Sequence, residues 1–312
     1  MSYSNKIIQI TLDAGFKSDI IWDVEQKKAE DAVQRGKKIV WEFDFGCTNP
    51  LGFRLQDPIQ WNTSQVAIEH FVRSIWPKYE KETVRISLFR GSIDWIHYLY
   101  WDEMQRDHFH RWKRVSRIPG ASTCSLEAIS QTKENRRILS LYATEQLSNY
   151  LHSLGSHLPE EVMRCATFTI NEHTSIWHAA QALSRERFPH IAIDVPYTAI
   201  SSLQEYQSPI ALCLPQDQYL NEEVGEIWES IYIELEKKSI PFRVLTETFL
   251  AEDWAGLEKI IVLTNSLSEF GKRQLQGFAI SGGQIIFYGD LLDIKNATVW
   301  KDWIEAIRGR GI

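Results

Sequence analysis

Carboxylates recur where a parallel α/β chain collects its reactive groups, at the C-terminal ends of its strands. Asp13 follows one short β-branched run, and Glu42 and Asp44 close a second within Trp41-Glu42-Phe43-Asp44. Arg90 and Asp94 follow a third run, Asn171 and Glu172 a fourth, and Asp194 ends a fifth. Carboxylates gathered at one mouth push each other's pKa values apart, so one can hold a proton while another acts as base or nucleophile. Cleaving a glycosidic bond needs such a pair flanking the bond, with flat aromatic surfaces for the sugar rings. The residues therefore suggest a carbohydrate pocket with Glu172, Glu42 and Asp44 as candidate catalytic groups. Asp13, Trp41 and Arg90 are candidate substrate-binding groups, together with Asp94, Asn171 and Asp194. Two structural readings stand beside this one. Asp and Asn at strand ends cap the helices that follow, and Glu42 could form a buried ion pair with Arg90.

Other chemistries find less support. His108-Phe109-His110 has metal-ligand spacing, but its neighbours Asp102 to Asp107 are polar and suit a helix, so no metal site is expected. Cys47, Cys124, Cys165 and Cys213 lie far apart without a C-x-x-C pair and read as buried thiols. Neither G-x-G-x-x-G nor G-x-x-x-x-G-K-[ST] occurs, so no nucleotide or other cofactor is expected.

The elements that would position these groups alternate regularly. Strand-like runs fall at Ile7–Thr11, Lys38–Phe43, Val84–Phe89, Cys165–Ile170 and Ile191–Val195. Four more follow at Ile210–Leu214, Phe242–Leu245, Ile260–Thr264 and Gln284–Tyr288. Helical periodicity fills several of the intervals, at Asp23–Arg35, Ser64–Tyr79, Arg136–His152, Ile176–Phe188, Glu222–Lys238 and Glu269–Ile280. A βα repeat of this kind implies mostly parallel sheets. The polar stretch from Ser201 to Pro209 marks a domain boundary. The insert between Asp94 and Glu134 has no strand and reads as a cover over one end of the pocket or as a contact surface.

Composition bounds the function classes. The chain has 312 residues, 44% hydrophobic and 24% charged, the profile of a soluble globular protein. A net charge of -7 argues against a nucleic-acid partner, and the basic cluster Arg111 to Arg114 with Arg117 reads as a solvated face. No apolar run suits a membrane span and the first residues do not resemble a secretion signal, so the cytoplasm is the expected compartment. Seven of the 12 tryptophans fall within the first 112 residues, which points to that part for any ligand.

From Pro209 to Leu292 the chain resembles the glutamine-amidotransferase-like domain, called the trimerisation domain, of β-galactosidase-type glycoside hydrolases. The resemblance rests on a long helix ending in Lys237-Lys238-Ser239-Ile240-Pro241 and on the strand Phe242-Arg243-Val244-Leu245-Thr246. It continues through Leu257 to Asn265 and through Phe278-Ala279-Ile280-Ser281-Gly282-Gly283 into the last strand. Amidotransferases proper carry a nucleophilic Cys in a Gly-flanked elbow; here Leu263-Thr264-Asn265-Ser266 stands there, so glutamine hydrolysis is not expected. Asn171-Glu172 resembles the Asn-Glu pair of the large retaining glycosidase clan, which implies Glu172 as proton donor and Asn171 as a hydroxyl ligand. That clan draws its nucleophile from a seventh strand, which has no counterpart here. Glu42 or Asp44 would have to substitute. The family resemblance also implies a homo-oligomer formed through the C-terminal domain.

The expected fold is α/β, with an irregular or reduced TIM-type βα domain over residues 1–205 and a flavodoxin-like, amidotransferase-like parallel-sheet domain over 206–312. A single barrel-like sheet of nine strands is the alternative. The function expected is a glycoside-hydrolase-like protein that acts on or binds a carbohydrate; the alternative is a non-catalytic binding or assembly protein on a degenerate glycosidase scaffold.

Overall fold

The computed structural model describes residues 7–14, 21–45, 56–92, 101–116, 121, 124–126, 132–159, 163–169, 174–187, 208–251, 254, 256–289 and 294–308. The side chains of 89–92, 148, 163–169, 174, 177, 181, 184–187 and 306–308 lie outside that description. The fold is mixed α/β, and every strand pairing among the described residues is parallel. The chain divides into two compact units. The first comprises Met1–Arg117, Tyr142–Thr174 and His190–Ser201; the second comprises Ile118–Leu141, Ser175–Pro189 and Ser202–Ile312. The sequence-based cut at 205 lies near the start of the second unit's last segment, but two earlier segments also belong to that unit.

The first unit contains a four-stranded sheet in which β1 (Ile7–Asp13), β2 (Lys38–Asp44), β3 (Thr83–Ser92) and β4 (Met163–Thr169) lie side by side in chain order. Parallel neighbours require crossovers. The described crossover elements are α1 (Asp23–Gln34), α2 (Pro58–Ser74) and α3 (Trp76–Tyr79), then α4 (Glu103–Val115) and α5 (Lys133–Gly155). Sequential parallel order is the order of a TIM-type barrel. Local signals fix the helix starts: the Asp57 side chain accepts from Ile59 N at 2.8 Å, and Pro58 supplies the first helical position of α2.

One face of this sheet is apolar. Ile10, Leu12, Trp41, Phe43, Ile86 and Leu88 are buried there, with Ala29 and Ala32 of α1 and Ile68 and Phe71 of α2 also in the core. Phe71 meets Trp41 and Phe43 edge-on at 5.5 and 5.4 Å. α5 runs across the division of the chain, with Tyr142–Gly155 in the first unit. The polar insert supplies α4, which packs on that part of α5. Trp112 Nε1 donates to Glu145 Oε2 at 2.7 Å, and Gln105 Nε2 donates to Tyr142 Oη at 2.6 Å. The described part of the insert is thus a helix buttressing another helix.

The second unit contains a five-stranded sheet in the order β6-β5-β7-β8-β9, formed by β5 (Ile210–Leu214), β6 (Arg243–Thr246), β7 (Lys259–Leu263), β8 (Gln284–Tyr288) and β9 (Ala297–Val299). Counted within the unit this is 2-1-3-4-5, the flavodoxin-like order. Its helices are α6 (Thr174–Arg187, whose first residue belongs to the first unit), α7 (Glu222–Lys237), α8 (Glu269–Ile280) and α9 (Trp300–Arg308). Leu275, Phe278 and Ala279 of α8 share a core with Ala211, Cys213, Val262 and Phe287. α7 is engaged on two sides. Trp228 Nε1 donates to Cys213 O at 3.0 Å, while Glu229 and Tyr232 meet Arg137 and His178. Gly282, at φ +102°, ends α8 in the left-handed conformation that a side chain would strain.

Candidate functional site

The face of the first sheet opposite its apolar core gathers a set of polar residues around Val40, and the strand register lines them up. In β1 the core-facing Ile10 and Leu12 alternate with Gln9, Thr11 and Asp13. Pairing sets Gln9 beside Val40, Thr11 beside Glu42 and Asp13 beside Asp44. Register partners on parallel strands share a face at about 4.8 Å separation. β3 continues the rows, with Val40 beside Arg85 and Glu42 beside Ser87.

β3 reaches this arrangement through a bulge. Ile39 pairs with Thr83 and Val40 with Arg85, which leaves Val84 without a partner in the ladder. Thr83 faces the helices, where its hydroxyl accepts from Trp41 Nε1 at 3.0 Å. The extra residue resets the alternation, so Arg85 and Ser87 join the polar face while Ile86 and Leu88 join the core.

Glu42 sits at the centre of the polar face and is fully buried. Its Oε2 accepts from Gln9 Nε2 and, at 3.4 Å, from Thr11 Oγ1. Ser87 beside it is also fully buried. One row further along, Asp13 is exposed and Asp44 half-buried. The ladder continues past this pair, with Ala14 N donating to Asp44 O at 2.8 Å, and Trp22 Nε1 holds Asp13 O at 2.9 Å. Three of the expected site residues are therefore brought together: Asp13, Glu42 and Asp44 form two rows of one face, the upper row open to solvent.

Trp41 is a correction. It was expected as a substrate-binding surface, but it points to the other side of β2, fully buried against Phe71 and Tyr79. Alternation makes this unavoidable, since neighbours in a strand face opposite ways and Glu42 takes the polar face. Trp22 is likewise in the core, edge-on to Phe43 at 6.1 Å. Arg90 lies in β3 beside Thr167 of β4, and its side chain is outside the description. Asp94, Asn171, Glu172 and Asp194 lie outside the described residues.

Sequence reasoning did not select Gln9, Thr11, Arg85 or Ser87. The signal was present: apolar and polar residues alternate strictly in Ile8–Asp13 and Val84–Leu88, which is the pattern of a sheet with one polar face. His108 and Phe109 lie on α4, where His108 Nδ1 meets Tyr142 Oη at 3.0 Å; burial first, and then Arg111, hold the imidazole below its usual range. Among the described residues no three His, Cys, Asp or Glu side chains could share a metal ion.

The second unit closes its own crevice. At the strand ends beside its topological switch, where doubly wound folds bind ligands, Glu247 accepts from Ser268 N at 3.1 Å and from Ser268 Oγ. Thr248 Oγ1 donates to Gln216 Oε1 at 3.1 Å. Thr264–Ser266 forms a short 3₁₀ turn where an amidotransferase would carry its elbow. Burial first, and then the Glu247 carboxylate, push the Cys213 thiol well above its usual range, so it supplies no thiolate.

No family model matches the sequence, and no curated protein matches it. A solved structure does: the cold-adapted β-galactosidase from Rahnella sp. R3 superposes with a TM-score of 0.51 at 8% identity, over 90% of this chain and 66% of that one. The chain thus spans a little under two thirds of that enzyme's length. No helix among the described residues is long and apolar enough to cross a membrane. At such low identity the likeness is one of fold alone, that of a mixed α/β scaffold.

Proposed function

We propose that this chain is a glycoside-hydrolase-like protein that binds a carbohydrate at the C-terminal ends of the strands in its first unit. The observation that carries the reading is the register pairing of Asp13 with Asp44 directly above Thr11 and Glu42. Paired carboxylates over a row of amide and hydroxyl groups offer the acceptors and donors that sugar hydroxyls need. Asp13 and Asp44 take ligand hydroxyls at the open end, and Glu42 with Gln9 forms the floor. In the hydrolytic version Glu172 is the proton donor and Asn171 a hydroxyl ligand, with Asp44 or Glu42 as the second carboxylate. Arg90, Asp94 and Asp194 complete the rim. The flavodoxin-like C-terminal part carries no chemistry in this reading and serves assembly of copies of the chain.

A non-catalytic binding or assembly protein on the same scaffold is the second reading. Its support is the enclosure of Glu42, whose Oε2 is engaged by Gln9 and Thr11. A screen of aryl glycosides and glycans with wild type, Glu172→Gln and Asp44→Asn separates the two. Hydrolysis by wild type that falls roughly a hundredfold or more in Glu172→Gln supports the enzyme. Equal turnover in wild type and variant, or none in either, removes the hydrolytic version, and glycan binding by wild type alone then decides for the second.

A further inference from the structure

Arg85 is a buried charge for which the described protein provides no counter-charge. Its residue is 8% exposed, and its Nε is buried without a hydrogen-bond partner. Among the described residues it forms no ion pair. An isolated buried cation is costly unless something anionic meets it. The bulge at Val84 turns this side chain to the polar face, one register step from the Glu42–Ser87 row and beside Val40. Bulges of this kind re-aim side chains beside ligand sites.

We propose that Arg85 receives the carboxylate of an acidic sugar, a uronic acid, whose hydroxyls meet Gln9 and Thr11. This inference rests on the carbohydrate reading above and adds the ligand's charge to it. A planar guanidinium matches a carboxylate with two parallel hydrogen bonds. Towards the C-terminal end of the same face the described charged groups, Glu42, Asp13 and Asp44, are acidic, while Lys38 at the opposite end is bound to Lys81 O. The acidic groups repel a carboxylate placed at their end and accept hydroxyl donors, so the arrangement fixes the ligand's direction as well as its class. The acid group lies over β3 and the hydroxyls over β1.

Calorimetric titration of the full chain with galacturonate and glucuronate, against galactose and glucose, tests the proposal. The expected result is uronate binding tighter than neutral-sugar binding by roughly tenfold or more, the worth of a charge-assisted pair. In Arg85→Met the ratio of the two affinities falls towards one, and in Arg85→Lys it takes an intermediate value, since the charge remains without the fork. Uronates and neutral sugars binding alike to wild type would overturn the acidic-sugar inference and leave the carbohydrate reading standing. Binding of neither class would overturn both. A uronate preference that survives in Arg85→Met would also overturn the role of Arg85. The wild-type comparison holds whether or not the variants fold.

Discussion

Arg137 is a buried arginine that, unlike Arg85, has a counter-charge within the described protein, although both of its Nη atoms are buried without a hydrogen-bond partner. Its side chain is fully buried in the second unit, its Nε donates to Glu229 Oε1 at 2.7 Å, and its guanidinium lies 5.5 Å from the Tyr219 ring centre. Burial alone would lower its pKa, but the hydrogen bond and charge of Glu229 outweigh that and raise it. The pair also accounts for a glycine inside α7, because a Cβ at Gly225 would stand 2.4 Å from Arg137 Cζ. Arg85 has none of these supports. His178, which meets the same helix one turn further on, gives a residue-scale prediction. It meets Tyr232 Oη, which in turn donates to Glu236 at 3.5 Å, and burial holds the imidazole down at about 3. The ordinary value in an unfolded chain is 6.5, so between these limits the unfolded state binds the extra proton. Stability from this group is therefore complete above pH 6.5 and is lost as the pH falls towards 3. His178→Gln should flatten that loss. Between pH 6.5 and 5 the wild type should lose up to ~2 kcal/mol relative to the variant in urea unfolding. Parallel acid limbs for the two proteins would exclude His178 as the cause. At this scale the placement of Asp13 and Asp44 at neighbouring strand ends was legible in the sequence, because strand ends are where parallel folds gather polar groups. Trp41 was misplaced because residue type suggests stacking equally for a core and for a ligand; only the parity of the strand separates the two.

At the scale of elements, parity is also what the β3 bulge controls. Thr83 must face the helices to accept from Trp41, and Ile86 and Leu88 must face them to fill the core. No strictly alternating strand satisfies both, and Val84, 37% exposed, takes up the extra step. Deleting Val84 should therefore regularise the strand without turning any neighbour, at a cost of about 1 kcal/mol or less. Deleting Ser87 should turn one flank of the strand to the wrong face and abolish the cooperative melt. Thermal unfolding followed by near-ultraviolet circular dichroism compares the two; equal loss of structure in both would show that the bulge does not set the register. Most elements were legible because their patterns are long. β5 and β8 fall at their expected residues, and β1 to β4, β6 and β7 within three of them. β9 was not, since Ala297–Val299 is three residues without alternation. The run at Ile191–Val195 lies outside the described residues. The bulge itself leaves no trace in composition, because Val84 suits a regular strand as well as an irregular one.

For the whole molecule, strand order separates the two units more sharply than the composition of their strands does. Both sheets are parallel and rich in apolar residues, but one runs in chain order and the other as 2-1-3-4-5. In the first, one sheet face carries Gln9, Thr11, Glu42, Arg85 and Ser87, with the apolar Val40 among them. In the second, both faces are apolar and the strand-end crevice is occupied by its own bonds from Ser268 to Glu247 and from Thr248 to Gln216. A ligand that binds only the native state stabilises whatever holds it, by about 2.7 kcal/mol at a hundredfold excess over the dissociation constant. Hydrogen exchange on the full chain with and without saturating uronate should therefore slow amides in β1, β2 and β3. Amides in β5, β7 and β8 should exchange as before. Slowing confined to β5 and β7 would move the ligand to the flavodoxin-like switch point. Glu247 would then have to release Ser268, and the polar face of the first sheet would lose its assigned role. The first outcome is the one the side chains favour, because Arg85 is a buried charge without a partner among the described residues, whereas the crevice of the second unit already satisfies its own carboxylate.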